Sequence, residues 1–275
     1  MKLLVGIDGS PPSARALDWA AVVARSLDAE LIVAHVYSAD PADTSSWSQA
    51  HAKRGQQLDR WCTPARAAGV VVEAILLDGE VGPALLAAGA QRAVDLIVVG
   101  RRGRGGFEGL LVGSAADHVA HHAERAIAVL PPAVHASSPT HLLLGLDGSD
   151  GSAAAVAWAA RAGVSFGARV TAVYVPPMPE LLARPTSAQR AAAERSLAQS
   201  AVALEDAGLL VEQRVVEHRH PADALIATAQ DVGADAVVVG TRALGGLRRI
   251  RLGGVTMQLL HHCPQPVIAV PPAVS

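Results

Sequence analysis

Between Gly100 and Ser114 the chain reads GRRGRGGFEGLLVGS, which places six glycines and three arginines within fifteen residues. Residues of these types at this density suit an anion cradle. Glycine lets backbone N–H groups approach phosphate oxygens with no Cβ in the way, and Arg101, Arg102 and Arg104 supply neutralising charge. A flexible, solvated surface loop has the same composition, so the glycines alone leave both readings open. A related segment, Gly240-Thr241-Arg242-Ala243-Leu244-Gly245-Gly246, follows a second apolar run in the C-terminal half. That recurrence favours the cradle. The other candidate groups are acidic turns near the start of each half, Gly6-Ile7-Asp8-Gly9-Ser10 and Gly145-Leu146-Asp147-Gly148-Ser149. Such a carboxylate is either a turn former or a functional group at the end of a strand.

The elements that must hold these residues are written twice. LLVGIDGS at residues 3–10 returns as LLLGLDGS at 142–149, and VDLIVVG ending at Gly100 returns as ADAVVVG ending at Gly240. Trp19 is echoed by Trp158 and His121-His122 by His261-His262, at an offset of 139 or 140. The chain therefore reads as a tandem duplication, residues 1–134 and 142–275, with a short polar joint at 135–141.

Within the first copy, strands are expected at Leu3–Ile7, Glu30–Val36, Val70–Leu77, Leu96–Val99 and Ala126–Leu130. Helices are expected at Pro12–Leu27, Ser48–Ala68, Pro83–Arg92 and Ser114–Ala123. Alternating apolar strands and helices imply an α/β fold, a parallel sheet covered on both faces in each of two doubly wound domains. Ligands of such sheets bind at the carboxyl ends of the strands, where strand order reverses. Asp8 closes the first strand and Gly100 the fourth, so the glycine loop overhangs that crevice. Ser114 then opens a helix, whose unpaired N–H groups and dipole favour an anion.

Composition narrows the function classes. The residues are 51% hydrophobic and 17% charged, with a formal charge of −2, which argues against a general nucleic-acid binder. No uninterrupted apolar run is long enough to span a membrane, and the opening is too short for a signal peptide. A cytoplasmic protein is expected. Cys62 and Cys263 lack any metal-ligand spacing. The adjacent histidines of each half point in different directions on a helix and read as polar helix ends rather than metal ligands. Trp19 and Trp158 read as core. There is no GxxxxGK[ST] and no complete GxGxxG, so neither a P-loop nor a dinucleotide fingerprint is present.

The spacing Gly100-x2-Gly103-x9-Gly113-Ser114, with GIDGS and GLDGS at the first strands, resembles the ATP-binding universal stress protein family. The likeness covers nearly the whole chain as two copies. It implies a five-stranded parallel sheet of order 3-2-1-4-5 in each half. It also implies adenine near the first two strands, with backbone contact at Val36 and Asp8 close by, and the triphosphate on the loop and the helix start at Gly113–Ala115. The first-half contacts it implies are Gly6, Asp8, Val36, Gly100, Arg101, Arg102, Gly103, Arg104, Gly105, Gly106, Gly113, Ser114 and Ala115. Those of the second half are Gly145, Asp147, Val175, Gly240, Thr241, Arg242, Ala243, Gly245, Gly246, Gly253, Gly254, Val255 and Thr256.

Both copies depart from the family pattern. Ala115-Ala116 replaces a valine and a hydroxyl in the first; Ala243 stands in the place of the middle glycine in the second, and Gly254 in the place of serine. The first half is therefore the better expected site.

The expected ligand is ATP, with Mg2+ as a companion and no metal held by protein alone. The expected output is regulatory, in stress response. The alternatives are a slow ATPase or autophosphorylating enzyme, with Asp8 holding Mg2+, and a nucleotide-free interaction module. The β-rich strands AIAVL and VIAV that end the copies predict a homodimer or an intrachain pseudo-dimer.

Overall fold

The computed structural model describes residues 1–37, 47–103, 111–178, 184–243 and 250–272. Two compact units divide between Ser138 and Pro139.

The first unit alternates strand and helix: β1 (Lys2–Gly6), α1 (Pro11–Ser26), β2 (Glu30–Tyr37), α2 (Trp47–Ala67), β3 (Val72–Asp78), α3 (Val81–Gln91), β4 (Leu96–Gly100), α4 (Ser114–His122) and β5 (Ala126–Leu130). All neighbours are parallel, in the order β3-β2-β1-β4-β5. The order implied by the family resemblance is the order found. Leu3, Leu4 and Val5 of β1 and Leu96, Ile97 and Val98 of β4 are almost entirely enclosed, as strands covered on both faces must be. Trp19 packs into this core, 2% exposed.

The second unit repeats the plan with β6 (His141–Leu146), α5 (Asp150–Phe166), β7 (Arg169–Tyr174), α6 (Ser187–Asp206), β8 (Val211–Val215), α7 (Pro221–Asp231) and β9 (Ala236–Gly240). A two-residue antiparallel ribbon, β10 (Arg242–Ala243) with β11 (Ile250–Arg251), follows, then α8 (Gly254–His262) and β12 (Val267–Val270). The parallel order is β12-β9-β6-β7-β8. Strand β6 starts at His141, a residue expected in the polar joint, and His141 is buried.

Each unit anchors its first strand with a carboxylate from the turn before its fourth. Asp95 Oδ2 accepts from Lys2 N at 2.8 Å, while Asp235 Oδ2 accepts from Thr140 N, Thr140 Oγ1 and His141 N at 2.8–2.9 Å. In the second unit the end of β9 meets α5 with no side chain between them. A Cβ on Gly240 would strike the backbone of Gly151, and one on Gly151 would strike the Thr241 carbonyl. In the first unit Pro12 occupies the place of Gly151, and its carbonyl oxygen stands 3.9 Å from a Cβ built on Gly100. Among the described residues no helix is long and apolar enough to cross a membrane.

Candidate functional site

The turn after β1 is knitted by its own polar groups. Gly9 takes φ +77°, which L side chains avoid. Asp8 Oδ1 accepts from Ser10 N at 2.9 Å, an Asx turn, and Ser10 Oγ caps α1 by accepting from Ser13 N at 3.3 Å. Ser13 Oγ donates to the Ser10 carbonyl and accepts from Asp8 N. Trp61 of α2 covers this turn so closely that a Cβ on Gly9 would meet its ring. His35 of β2 stands edge-on to Trp61, with ring centroids 5.2 Å apart, and its Nδ1 donates to the Ile7 carbonyl at 2.9 Å. The turn-forming role of Asp8 is thus real, and its second carboxylate oxygen faces Gly103: a Cβ built there would lie 2.6 Å from Asp8 Oδ2.

The loop that follows β4 is closed at its base. Arg101 N donates to the Leu130 carbonyl at 2.7 Å, and Gly113 N donates to the Arg101 carbonyl at 2.8 Å. Gly113 then caps α4 without a side chain, leaving the first N–H groups of that helix for another acceptor.

Between these two turns lies a cavity of about 420 Å3. Of the residues expected at the site, Gly6, Asp8, Val36, Gly100, Arg102, Gly103, Gly113, Ser114 and Ala115 line it together. Arg101 does not; it is only 9% exposed and stands apart from the lining. Its backbone extends the β4–β5 ladder by one residue, so the sheet and not the loop sets where its side chain goes. Arg104, Gly105 and Gly106 lie outside the described residues. Ser13, Ala34, Val81, Leu85 and Val99 also line the cavity and were not expected. Val81 and Leu85 are four apart on α3, a spacing the sequence displayed without saying which way that helix faces. Gly6 leaves room for Leu85, whose Cδ1 would stand 2.8 Å from any added Cβ.

The second unit has a matching cavity of about 430 Å3, lined by Gly145, Asp147, Val175, Gly240, Gly253, Gly254, Val255 and Thr256, all expected, together with Ser149, Ser152, Tyr174 and Pro221. Thr241, like Arg101, is buried and outside the lining. Arg242 and Ala243 form β10, and Gly245 and Gly246 lie outside the described residues.

Here the carboxylate is held differently. Asp147 Oδ1 accepts from Ser149 N at 3.0 Å, Ser149 Oγ at 2.5 Å and Ser152 Oγ at 2.6 Å. Tyr174 takes the place of His35, and its hydroxyl donates to the Asp147 carbonyl at 3.1 Å. Burial, helped by the Asp147 charge, pushes the pKa of the Tyr174 hydroxyl above its ordinary value. Thr256 Oγ1 is turned to the Gly240 carbonyl at 3.2 Å.

The chain is similar to known proteins over nearly its full span. It is 29% identical to a universal stress protein of Mycobacterium tuberculosis, covering 97% of this chain and 93% of the relative. It is 28% identical to one of Mycolicibacterium smegmatis, over 98% and 97%. The fold is shared with a universal stress protein from Archaeoglobus fulgidus, at a TM-score of 0.79 and 19% identity over 98% of both chains. The pattern of the universal stress protein family matches residues 1–131 and again 139–271. With a family match in each unit and the expected strand order in both, this chain belongs to the universal stress protein family, in a tandem two-domain form.

Proposed function

We propose that this stress protein binds an adenine nucleotide, ATP, in the crevice of its first unit and works as a nucleotide-dependent regulator. One observation carries the reading: Gly113 and Ser114 at the uncapped start of α4, Arg102 and Asp8 all line one cavity of about 420 Å3. A helix start with free N–H groups favours phosphate, and Arg102 adds a cation that can pair with it. Gly100, Gly103, Gly113, Ser114 and Ala115 form the phosphate end of this reading. Ala34, Val36, Val81 and Leu85 give the apolar end suited to a base, with Asp8 between them.

Asp8 is the one carboxylate among the described lining residues, so a Mg2+ ion carried by the phosphates would take its protein oxygen there. No lysine, cysteine or paired carboxylate joins it among those residues. Binding and release, rather than rapid chemistry, is the function this lining supports. The second crevice is the weaker site in this reading, because Ala243 holds the place of Gly103.

Calorimetric titration with ATP and Mg2+ tests the proposal, with the intact mass measured after incubation. Saturable binding that Arg102→Ala weakens, with unchanged mass, is the expected result. An added phosphate would move the reading to an autophosphorylating enzyme. No binding, and no nucleotide released from the purified protein on denaturation, would overturn it.

A further inference from the structure

Helix α4 carries three histidines, and the two that meet are not the adjacent pair. His118 and His122, one helical turn apart, stack with ring centroids 4.3 Å apart and planes 21° from parallel. His121 and His122 are 6.5 Å apart and tilted by 54°. His122 Nδ1 lies 2.9 Å from the His118 carbonyl oxygen. A carbonyl only accepts, so Nδ1 carries the proton and Nε2 keeps its lone pair. Metal-bound histidines are oriented in this way, with the far ring nitrogen donating to a carbonyl.

The neighbouring helix makes room for the pair. A Cβ on Gly82 of α3 would lie 2.6–2.7 Å from the His118 ring and Cβ, so only glycine fits beneath it. In the second unit the places of Gly82 and His118 are taken by Ala222 and Gln258, both at the 140-residue offset.

We infer that His118 and His122 form a binding site for a borderline divalent metal ion, Zn2+, Ni2+ or Cu2+, one per chain. Imidazole suits these ions, and two histidines four residues apart on one helix face are a recurring way to hold Zn2+. To hold one metal at about 2.0–2.1 Å the two rings must leave the stack by turning about χ2, a torsion that is soft for histidine. Among the described residues no group of three histidine, cysteine or acidic side chains assembles. Two protein ligands leave the other coordination positions to exchangeable groups such as water, as suits an exchangeable rather than a structural ion. Such a site answers to metal supply and leaves the fold intact without it.

The test is a titration of the full chain with ZnCl2, read by calorimetry and by the 15N resonances of the histidine rings. One equivalent should bind, shifting the Nε2 signals of His118 and His122 together. His118→Asn and His122→Gln should each weaken binding by about tenfold or more, while His121→Gln should leave it unchanged. Circular dichroism checks that each variant keeps its helices. Binding that survives His122→Gln, that His121→Gln abolishes equally, or that never saturates near one equivalent would overturn the inference.

Discussion

Gly103 and Asp8 sit against each other across the first crevice: a Cβ on Gly103 would stand 2.6 Å from Asp8 Oδ2. From the sequence, this glycine was expected to clear a path for phosphate. Its immediate neighbour is a carboxylate instead. The two turns that frame the crevice are fitted to each other at this point, so the size of residue 103 bears on where the Asp8 carboxylate can lie.

Gly103→Ala should therefore weaken ATP binding by roughly tenfold to several hundredfold, the loss of one or two charge-assisted contacts. The loss acts partly through Asp8. In a double-mutant cycle, Asp8→Ala should cost less in the Gly103→Ala background than in the parent. Ala243→Gly should strengthen the second site. Calorimetry on the variants checks all three, and strict additivity of the first pair would show that residue 103 acts on the ligand alone.

Gly9 and Gly148 have nearly the same backbone, φ +77° and +76°, but different surroundings. A Cβ on Gly9 meets the Trp61 ring, whereas one on Gly148 finds Ser196 Oγ at 3.7 Å and the Tyr174 hydroxyl at 4.0 Å, ordinary contacts. Alanine at either position is strained by more than about 1 kcal/mol. Gly9→Ala should cost clearly more, because Trp61 must also move. Denaturant unfolding of the two variants measures the difference, and equal losses would show that Trp61 yields freely.

Ser13 and Ser152 hold equivalent places but bond differently. Ser152 Oγ donates to the Asp147 carboxylate at 2.6 Å and accepts from Asp147 N at 2.9 Å. Ser13 Oγ donates only to a neutral carbonyl, at 3.0 Å, and its bond from Asp8 N is 3.3 Å long. Ser152→Ala should destabilise its unit by about 1.5–3 kcal/mol, and Ser13→Ala by about 0.5–1.5 kcal/mol. The reverse order in urea unfolding would refute this assignment.

His141 should make the second unit sensitive to acid. It is 4% exposed and its Nε2 pairs with Thr171 Oγ1 at 2.8 Å. Burial pushes its pKa below the ordinary 6.5, and Arg169 pushes the same way; Asp235, the Val232 carbonyl and Glu212 oppose them more weakly. The unfolded chain thus binds a proton that the folded unit refuses. Stability from this group is complete above about pH 6.5 and falls as pH drops from there towards the lowered folded value. Replacing the pair together, His141→Leu with Thr171→Val, should flatten the slope of unfolding free energy against pH in that window. An unchanged slope would assign the acid sensitivity to other histidines.

The duplication, the strand order and the meeting of Asp8 with the glycine loop could all be read before any coordinates. The duplication and the Asp8 turn rest on patterns local to a strand or a turn, the sheet rule places ligands at strand ends, and the strand order was legible only through the family resemblance. What stayed hidden depends on how helices are rotated and on which way a residue at a strand's end points. Arg101 read as part of the loop, yet it obeys the pleat of β4. Trp61 reaches the Gly9 turn from a helix more than fifty residues away, and no local signal announces that contact. His118 and His122 were legible in principle, at a spacing of four.

The contact between Gly151 and the Gly240–Thr241 backbone bears on how the two repeats can be inherited. Tandem copies of a gene tend to overwrite each other by recombination. An exchange carrying only the first strand and helix of the first copy into the second would put Pro12 where Gly151 stands, driving its ring against the Thr241 carbonyl. An exchange that carries this helix start avoids the clash when it brings the end of the fourth strand with it. At this junction the second half resists piecemeal replacement by the first, and the helix start and strand end beside its crevice must change together.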